Sequence, residues 1–219
     1  MKPNEFLICL DAGHGGVGQG TGPDKYTTFP SKCYQHRTGH FHSYGWFFEG
    51  VFNRSLTAYL EQDLLDYGFS VKKVYDPILD TTLNKRCQLA NSYASNFKKS
   101  ILISIHGNAA ESTRARGWEI FTSPGQTDAD ILASAISFEV HNATPGWVHR
   151  YDRTDGDDDR EANFAMLRLT NMPSVLSENG FFTNYEDAKL MIDKDWQRRI
   201  AKAHAKGILE YAIVNGVEW

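Results

Sequence analysis

Four ionisable side chains stand where predicted elements begin or end. His14, His106 and Glu178 each follow or end a short apolar run that is typical of a buried strand. Glu49 opens a predicted helix, where the positive end of the helix dipole keeps a carboxylate ionised. Because ligands of open parallel sheets bind beyond the carboxyl ends of the strands, we expect the three strand-end side chains to face one crevice.

These residue types could form a catalytic zinc site. Two imidazoles and one carboxylate hold zinc with a fourth position open for water, and a second carboxylate such as Glu178 can move the protons. A histidine at a strand end is nevertheless more often a surface or core residue than a ligand. Without a helical pair of histidines four residues apart, spacing alone leaves both interpretations open.

The elements that position these residues alternate between strand-like and helix-like patterns. We predict strands at 6–10, 69–75, 101–105, 117–122 and 174–177, and helices at 50–67, 81–97, 127–142 and 195–213. This alternation predicts an α/β fold with three layers, in which helices cover both faces of a mostly parallel, twisted sheet. The stretches 17–48 and 143–160 interrupt the pattern and are predicted to be long loops.

Composition excludes several classes of protein. The chain has 219 residues, 41% of them hydrophobic, which suits one globular domain over 1–219 with a long inserted loop at about 17–48. A domain of this size needs no metal to fold, so any metal should serve chemistry. The net charge of −4 argues against nucleic-acid binding, and no apolar run is long enough for stable membrane insertion. The three cysteines are scattered, and we expect no structural disulfide.

Four blocks of the sequence, in order and in register, resemble the amidase-3 type of zinc-dependent N-acetylmuramoyl-L-alanine amidases. The resemblance spans about residues 6–213, and its blocks are DAGHGG at 11–16 (with Ala where Pro is commoner), Glu49 with the helix after it, SIHGNA at 104–109 followed by GWE at 117–119, and ENGFFTN at 178–184. The resemblance implies that His14, Glu49 and His106 bind one Zn²⁺ and that Glu178 is the catalytic carboxylate.

The resemblance also implies a substrate and a reaction. The substrate is peptidoglycan, and the bond hydrolysed is the amide between the lactyl group of N-acetylmuramic acid and L-alanine of the stem peptide. Glu178 would act first as general base and then as general acid. Asn108 could donate to the developing oxyanion, although it could equally cap a turn.

The stretch from 17 to 48 is longer than family members usually place before the ligand Glu49. It is locally basic and aromatic, so we interpret it as a substrate-side flap that uses some combination of Tyr34, Tyr44, Trp46 and Phe47; a passive surface loop is the alternative. Some family members block their zinc with a glutamate from an inserted helix, but this insert contains no glutamate.

Two further clusters of potential ligands do not match a known metal-binding pattern. The insert's histidines, His36, His40 and His42, adjoin no cysteine or carboxylate cluster that would complete a second metal site. The acidic run at 155–159 lacks the pattern of a calcium-binding EF-hand loop, and we interpret it as a solvated acidic loop.

Several biological settings fit this chemistry. No export signal precedes residue 6, which favours a monomeric phage endolysin that accumulates in the host cytoplasm and reaches the wall with the help of a holin. A bacterial autolysin or sporulation amidase of the same chemistry is the first alternative. A zinc peptidase that cuts within the stem peptide and a non-catalytic wall-binding module are the others.

Overall fold

The computed structural model describes residues 1–18, 25–27, 38–154 and 156–219. A short 3₁₀ turn at Pro3–Glu5 precedes the first strand. The strands are β1 (Phe6–Ala12), β2 (Gly39–His42), β3 (Gly45–Phe48), β4 (Ser70–Lys73), β5 (Lys99–Asn108), β6 (Trp118–Thr122), β7 (Arg160–Glu161) and β8 (Ser174–Phe181). The helices are α1 (Glu49–Asp66), α2 (Leu83–Ala94), α3 (Asp128–Ala143), α4 (Ala165–Arg168), α5 (Tyr185–Ile192) and α6 (Lys194–Val214).

Six strands form one sheet in the order β4-β1-β5-β8-β6-β7. All neighbouring pairs are parallel except β8 and β6, which are antiparallel. This confirms the predicted mostly parallel sheet. The register pairs His106 of β5 with Glu178 of β8, and Glu178 in turn with Glu119 of β6. Three side chains of adjacent strands therefore lie side by side across the sheet.

Both faces of the sheet are covered, which explains why β1 and the middle of β5 are almost continuously apolar. In β1, Phe6, Ile8 and Leu10 belong to the large core beneath α1, α3 and α6, and Leu7 and Cys9 face a smaller core formed with α2 and α4. Successive side chains of a strand point to opposite faces, so one apolar run supplies both cores. The predicted three-layer architecture is confirmed.

The structure differs from the sequence-based prediction in several places, including the short elements β7 and α4, which were not predicted. Strands β5 and β8 continue to Asn108 and Phe181, so His106 and Glu178 lie inside strands and not at their ends. A two-stranded hairpin, β2–β3, lies within the predicted loop at 17–48. Helix α5 was not predicted, although Asn184 caps it by accepting from the backbone N–H of Asp187. Among the described residues, no helix is both long enough and apolar enough to cross a bilayer.

Candidate active site

Three side chains from three different elements converge at one edge of the sheet. His14 follows β1, Glu49 is the first residue of α1, and His106 lies in β5. The Nε2 atom of His14 lies 3.2 Å from Glu49 Oε2, and the Nδ1 atom of His106 lies 3.0 Å from Glu49 Oε1. One ligand atom from each of the three side chains falls within 4.8 Å of the others.

This arrangement fits a tetrahedral metal ion. Ligand atoms about 2.0–2.1 Å from a tetrahedral zinc ion lie about 3.3 Å from one another, close to the two nitrogen–oxygen distances here. The two imidazole rings are nearly perpendicular, at 83°, with centroids 5.3 Å apart, so their nitrogens can approach one point from different directions. The donor set of two nitrogens and a carboxylate is also that of catalytic zinc sites.

The backbone at His14 is held in an unusual conformation. Its φ of +63° lies in the left-handed region, which costs a residue with a Cβ about 1–3 kcal/mol unless its surroundings impose it. Two guanidinium groups hold the His14 backbone in this conformation, because Arg54 and Arg86 each donate to the His14 carbonyl oxygen at 2.9 Å. Arg86 is anchored in turn by the buried carboxylate of Asp11, at 2.5 Å.

Glu49 is buried, with 4% of its surface exposed, and is ionised. Burial alone would raise the pKa of its carboxyl, but the two imidazoles beside it outweigh that effect and lower the pKa to about 2. Asn53, one turn further along α1, donates both to Glu49 Oε1 at 3.3 Å and to the Gly13 carbonyl at 3.1 Å. The helix thus fixes the carboxylate relative to the loop that carries His14.

Glu178 stands beside this group without joining it. Its Oε2 atom is buried and has no hydrogen-bond partner, and burial raises the pKa of its carboxyl to about 8. Glu49 and Glu119 add to that increase, whereas His106 opposes it. With His14 and His106, Glu178 lines a cavity of about 260 Å³. An unpartnered carboxyl of raised pKa in a cleft is typical of a general base or acid.

Comparison with known proteins decides the family. The model of the amidase-3 family, described as N-acetylmuramoyl-L-alanine amidase, matches residues 8–210. The chain belongs to this family. All four residues of the site lie within the matched range, as does the whole of the sheet from Ile8 onward.

Relatives of this chain include bacterial and phage proteins. A probable cell wall amidase LytH from Staphylococcus saprophyticus is 25% identical over 96% of this chain and 60% of its own length. An endolysin of Bacillus phage SPP1 is 24% identical over 93% of this chain and 65% of its own length. The chain therefore spans less than two thirds of either relative.

Solved structures agree with the assignment. The catalytic domain of CwlV, an N-acetylmuramoyl-L-alanine amidase from Bacillus (Paenibacillus) polymyxa, matches with a TM-score of 0.70 and 25% identity, over 98% of this chain and 99% of its own. An N-acetylmuramoyl-L-alanine amidase from Clostridium difficile 630 also has a TM-score of 0.70, with 26% identity over 97% of this chain and 100% of its own.

Asn108, predicted to contact substrate, is engaged within this amidase domain. Its amide nitrogen donates to Glu119 Oε1 at 2.5 Å, and its side-chain oxygen accepts from the backbone N–H of Ala109 at 2.8 Å. Arg150 donates to the other oxygen of Glu119 at 3.0 Å. Sequence reasoning assigned no role to Glu119 or Arg150; the signal that could have found Glu119 is its place in the GWE block.

Of the aromatic residues predicted to form a flap, Tyr34 lies outside the described residues, and the other three belong to the β2–β3 hairpin. Phe47 has only 3% of its surface exposed and packs in the large core, so it does not face substrate as predicted. Trp46 stacks on Phe48 with centroids 5.7 Å apart and an interplanar angle of 4°. The hairpin is attached to the site from two sides, because β3 ends at Phe48, directly before Glu49, and His42 bonds the carbonyl oxygen of Phe182 at 2.8 Å.

Proposed function

We propose that this chain is a zinc-dependent amidase that hydrolyses the bond between the lactyl group of N-acetylmuramic acid and L-alanine of the peptidoglycan stem. One observation carries the proposal: Glu178, whose Oε2 atom is buried and unpartnered, lines the same cavity as His14 and His106, and the donor atoms of these two histidines converge with that of Glu49. These three residues would hold the ion through His14 Nε2, His106 Nδ1 and the Glu49 carboxylate. Bound zinc would polarise the substrate carbonyl and lower the pKa of a coordinated water to about 7.

Glu178 moves the protons in this proposal. The pKa of about 8 belongs to the metal-free chain, and the positive charge of a bound zinc ion would favour the ionised form of Glu178. In that form the carboxylate accepts a proton from the attacking water and then donates it to the nitrogen of the departing alanine, so the carboxylate is regenerated in each turnover. The absence of a hydrogen-bond partner at the buried Oε2 atom leaves that oxygen available to the attacking water. Asn108 carries a second N–H beyond the one given to Glu119, which it can offer to a substrate oxygen.

The product of hydrolysis tests the reaction. We expect digestion of purified peptidoglycan to release peptides whose first residue is alanine and to leave the glycan strands intact, as mass spectrometry of the fragments would show. A peptidase acting within the stem would instead leave alanine on muramic acid. Released peptides that begin at a later stem residue would overturn the proposed specificity.

The hairpin supplies the substrate-side surface in this proposal, with Trp46 and Tyr44 contacting sugar or muramyl peptide. We expect Trp46→Ala to raise KM about 2- to 10-fold with little change in kcat, because an aromatic contact contributes about 0.5–1.5 kcal/mol. Steady-state turnover of soluble muramyl peptides measures both constants. Phe138→Ala is the matched control, since Phe138 is an exposed aromatic on α3, which contributes no residue to the cavity. A KM unchanged by Trp46→Ala would favour a passive loop.

For the biological setting we propose an endolysin that is held in the host cytoplasm as a monomer until a holin gives it access to the wall. The SPP1 endolysin supports this role, and the staphylococcal LytH relative supports the alternative of a bacterial cell wall amidase. Co-expression with a holin should lyse the host from within, and Glu178→Gln should abolish that lysis. Lysis that needs no holin would contradict the dependence.

A further inference from the structure

Two acidic side chains beside strand β6 are not solvated in the way the sequence suggests. Asp159 directly precedes β7 and has only 3% of its surface exposed, and its Oδ2 atom accepts from the Thr122 hydroxyl at 2.6 Å. Its Oδ1 atom and the Oδ1 atom of Asp157 are both buried without a hydrogen-bond partner. The interpretation of 155–159 as a solvated acidic loop is therefore wrong for Asp159, because docking against Thr122 buries its carboxyl.

No positive side chain compensates this pair among the described residues. Arg153 is paired with Asp158 at 2.7 Å, and Arg160 lies 3.7 Å from Glu119. Neither Asp157 nor Asp159 forms an ion pair within the described part of the chain. Burial raises the pKa of Asp159 to about 7, and the Thr122 hydroxyl opposes that increase. The negative charges of Asp157 and Asp130 and the close approach of the Asp157 carboxyl to that of Asp159, within hydrogen-bonding reach, raise it further. Buried charge of one sign is costly unless a counter-charge or metal offsets it.

We propose that Asp157 and Asp159 hold a structural calcium ion through their unpartnered Oδ1 atoms. The donors are carboxylate oxygens without a histidine or cysteine, which favours a hard cation over zinc. Asp157 is only partly buried, so water can complete the six to eight ligands that calcium takes. With two carboxylates, the affinity should fall in the weak range of about 10⁻⁴–10⁻³ M.

The ion would stabilise the link between strand β6 and the wall of the active-site cavity that Phe164 and Met166 form. Asp159 reaches β6 through Thr122, and the chain continues through β7 to Phe164 and Met166, which line the cavity beside Glu178. Calcium would thus stabilise the segment that connects the sheet edge to this wall. It would not contact substrate, so its effect should appear in stability and metal stoichiometry.

The test is a calcium titration of the zinc-loaded, full-length chain by isothermal calorimetry at a pH of about 8, above the Asp159 pKa of about 7. We expect one calcium per chain and a rise in Tm of about 2–5 °C at roughly tenfold excess over Kd. Asp159→Asn should abolish the binding heat and the Tm rise. Asp158→Asn is the matched control and should retain both, since Asp158 is paired with Arg153 and has 39% of its side chain exposed.

Two outcomes would overturn the proposal. Calcium binding that survives in Asp159→Asn would place the ion elsewhere. An absence of binding heat in the wild-type chain, together with a Tm that falls as pH rises through about 7, would show that a shared proton and not a cation relieves the carboxylate pair. Should Asp159→Asn fold poorly, Asp157→Asn serves as the second variant, because it removes the other proposed ligand from a less buried position.

Discussion

Replacing Glu178 by glutamine is expected to reduce turnover about 10²- to 10⁴-fold while the protein keeps its metal. Glutamine preserves the size and polarity of the side chain but cannot accept the proton of the attacking water. The three proposed ligands come from other elements and contact one another, so they should remain in place. The measurement pairs release of alanine-terminated peptides from purified walls with zinc content by elemental analysis.

Glu61→Gln is the control for this variant, since it makes the same chemical change at a surface residue of α1 that is paired with Lys73. That variant should keep full turnover. Hydrolysis by Glu178→Gln within a few-fold of the wild-type rate would remove Glu178 from the mechanism. Loss of zinc together with activity would mean that Glu178 supports the metal site, and the proposed division of roles would be wrong.

The same variant has a predictable effect on stability in protein prepared without metal. The pKa of Glu178 is raised from 4.5 to about 8, so its protonated form stabilises the fold below about pH 4.5, and this contribution is lost as pH rises through about 8. Glutamine mimics the neutral form at every pH. The Tm of Glu178→Gln should therefore depend less on pH over this interval than the wild-type Tm does.

The central sheet and the long helices could be predicted from the sequence because each carries its own local signal. Strands β1 and β5 are buried on both faces and contain nearly unbroken apolar runs, and α1 repeats its buried leucines every four residues. His14, His106 and Glu178 could be assigned to one crevice because each lies at or near the carboxyl end of a strand in the mostly parallel sheet. Glu49 could be located only as the first residue of a predicted helix. The metal-ligand and catalytic roles came from the resemblance, since spacing alone left a structural role open.

Other features depend on tertiary contacts that the local sequence does not encode. The β2–β3 hairpin is short, and its position is set by distant contacts such as the stacking of Phe47 on Phe182. The left-handed backbone of His14 is imposed by Arg54 and Arg86, which come from two different segments. Asp159 belongs to a run of acidic residues that predicts an exposed side chain. In the fold Asp159 is buried, and its carboxyl accepts a hydrogen bond from the hydroxyl of Thr122 on β6.

The last prediction concerns the close approach of backbone and ligand at Gly13. A Cβ added there would lie 2.0 Å from Cε1 of the His106 ring, so the ring would have to move. Gly13 itself cannot retreat easily, because its N–H bonds the Ile105 carbonyl at 3.1 Å and its own carbonyl accepts from Asn53. We expect Gly13→Ala to weaken zinc binding by at least about 10- to 100-fold, the loss typical when a ligand's support is disturbed.

Gly18→Ala provides the matched control, since its added methyl would meet no atom closer than 3.7 Å. His106→Ala sets the upper limit, because it removes the proposed ligand and should eliminate stoichiometric zinc. Competition with a chromogenic chelator gives the affinities, and circular dichroism verifies that each variant is folded. Wild-type zinc affinity in a folded Gly13→Ala variant would mean that the His106 ring can shift without leaving the ion. The glycine would then serve the local turn, and His106 would not depend on the backbone at Gly13 for its placement.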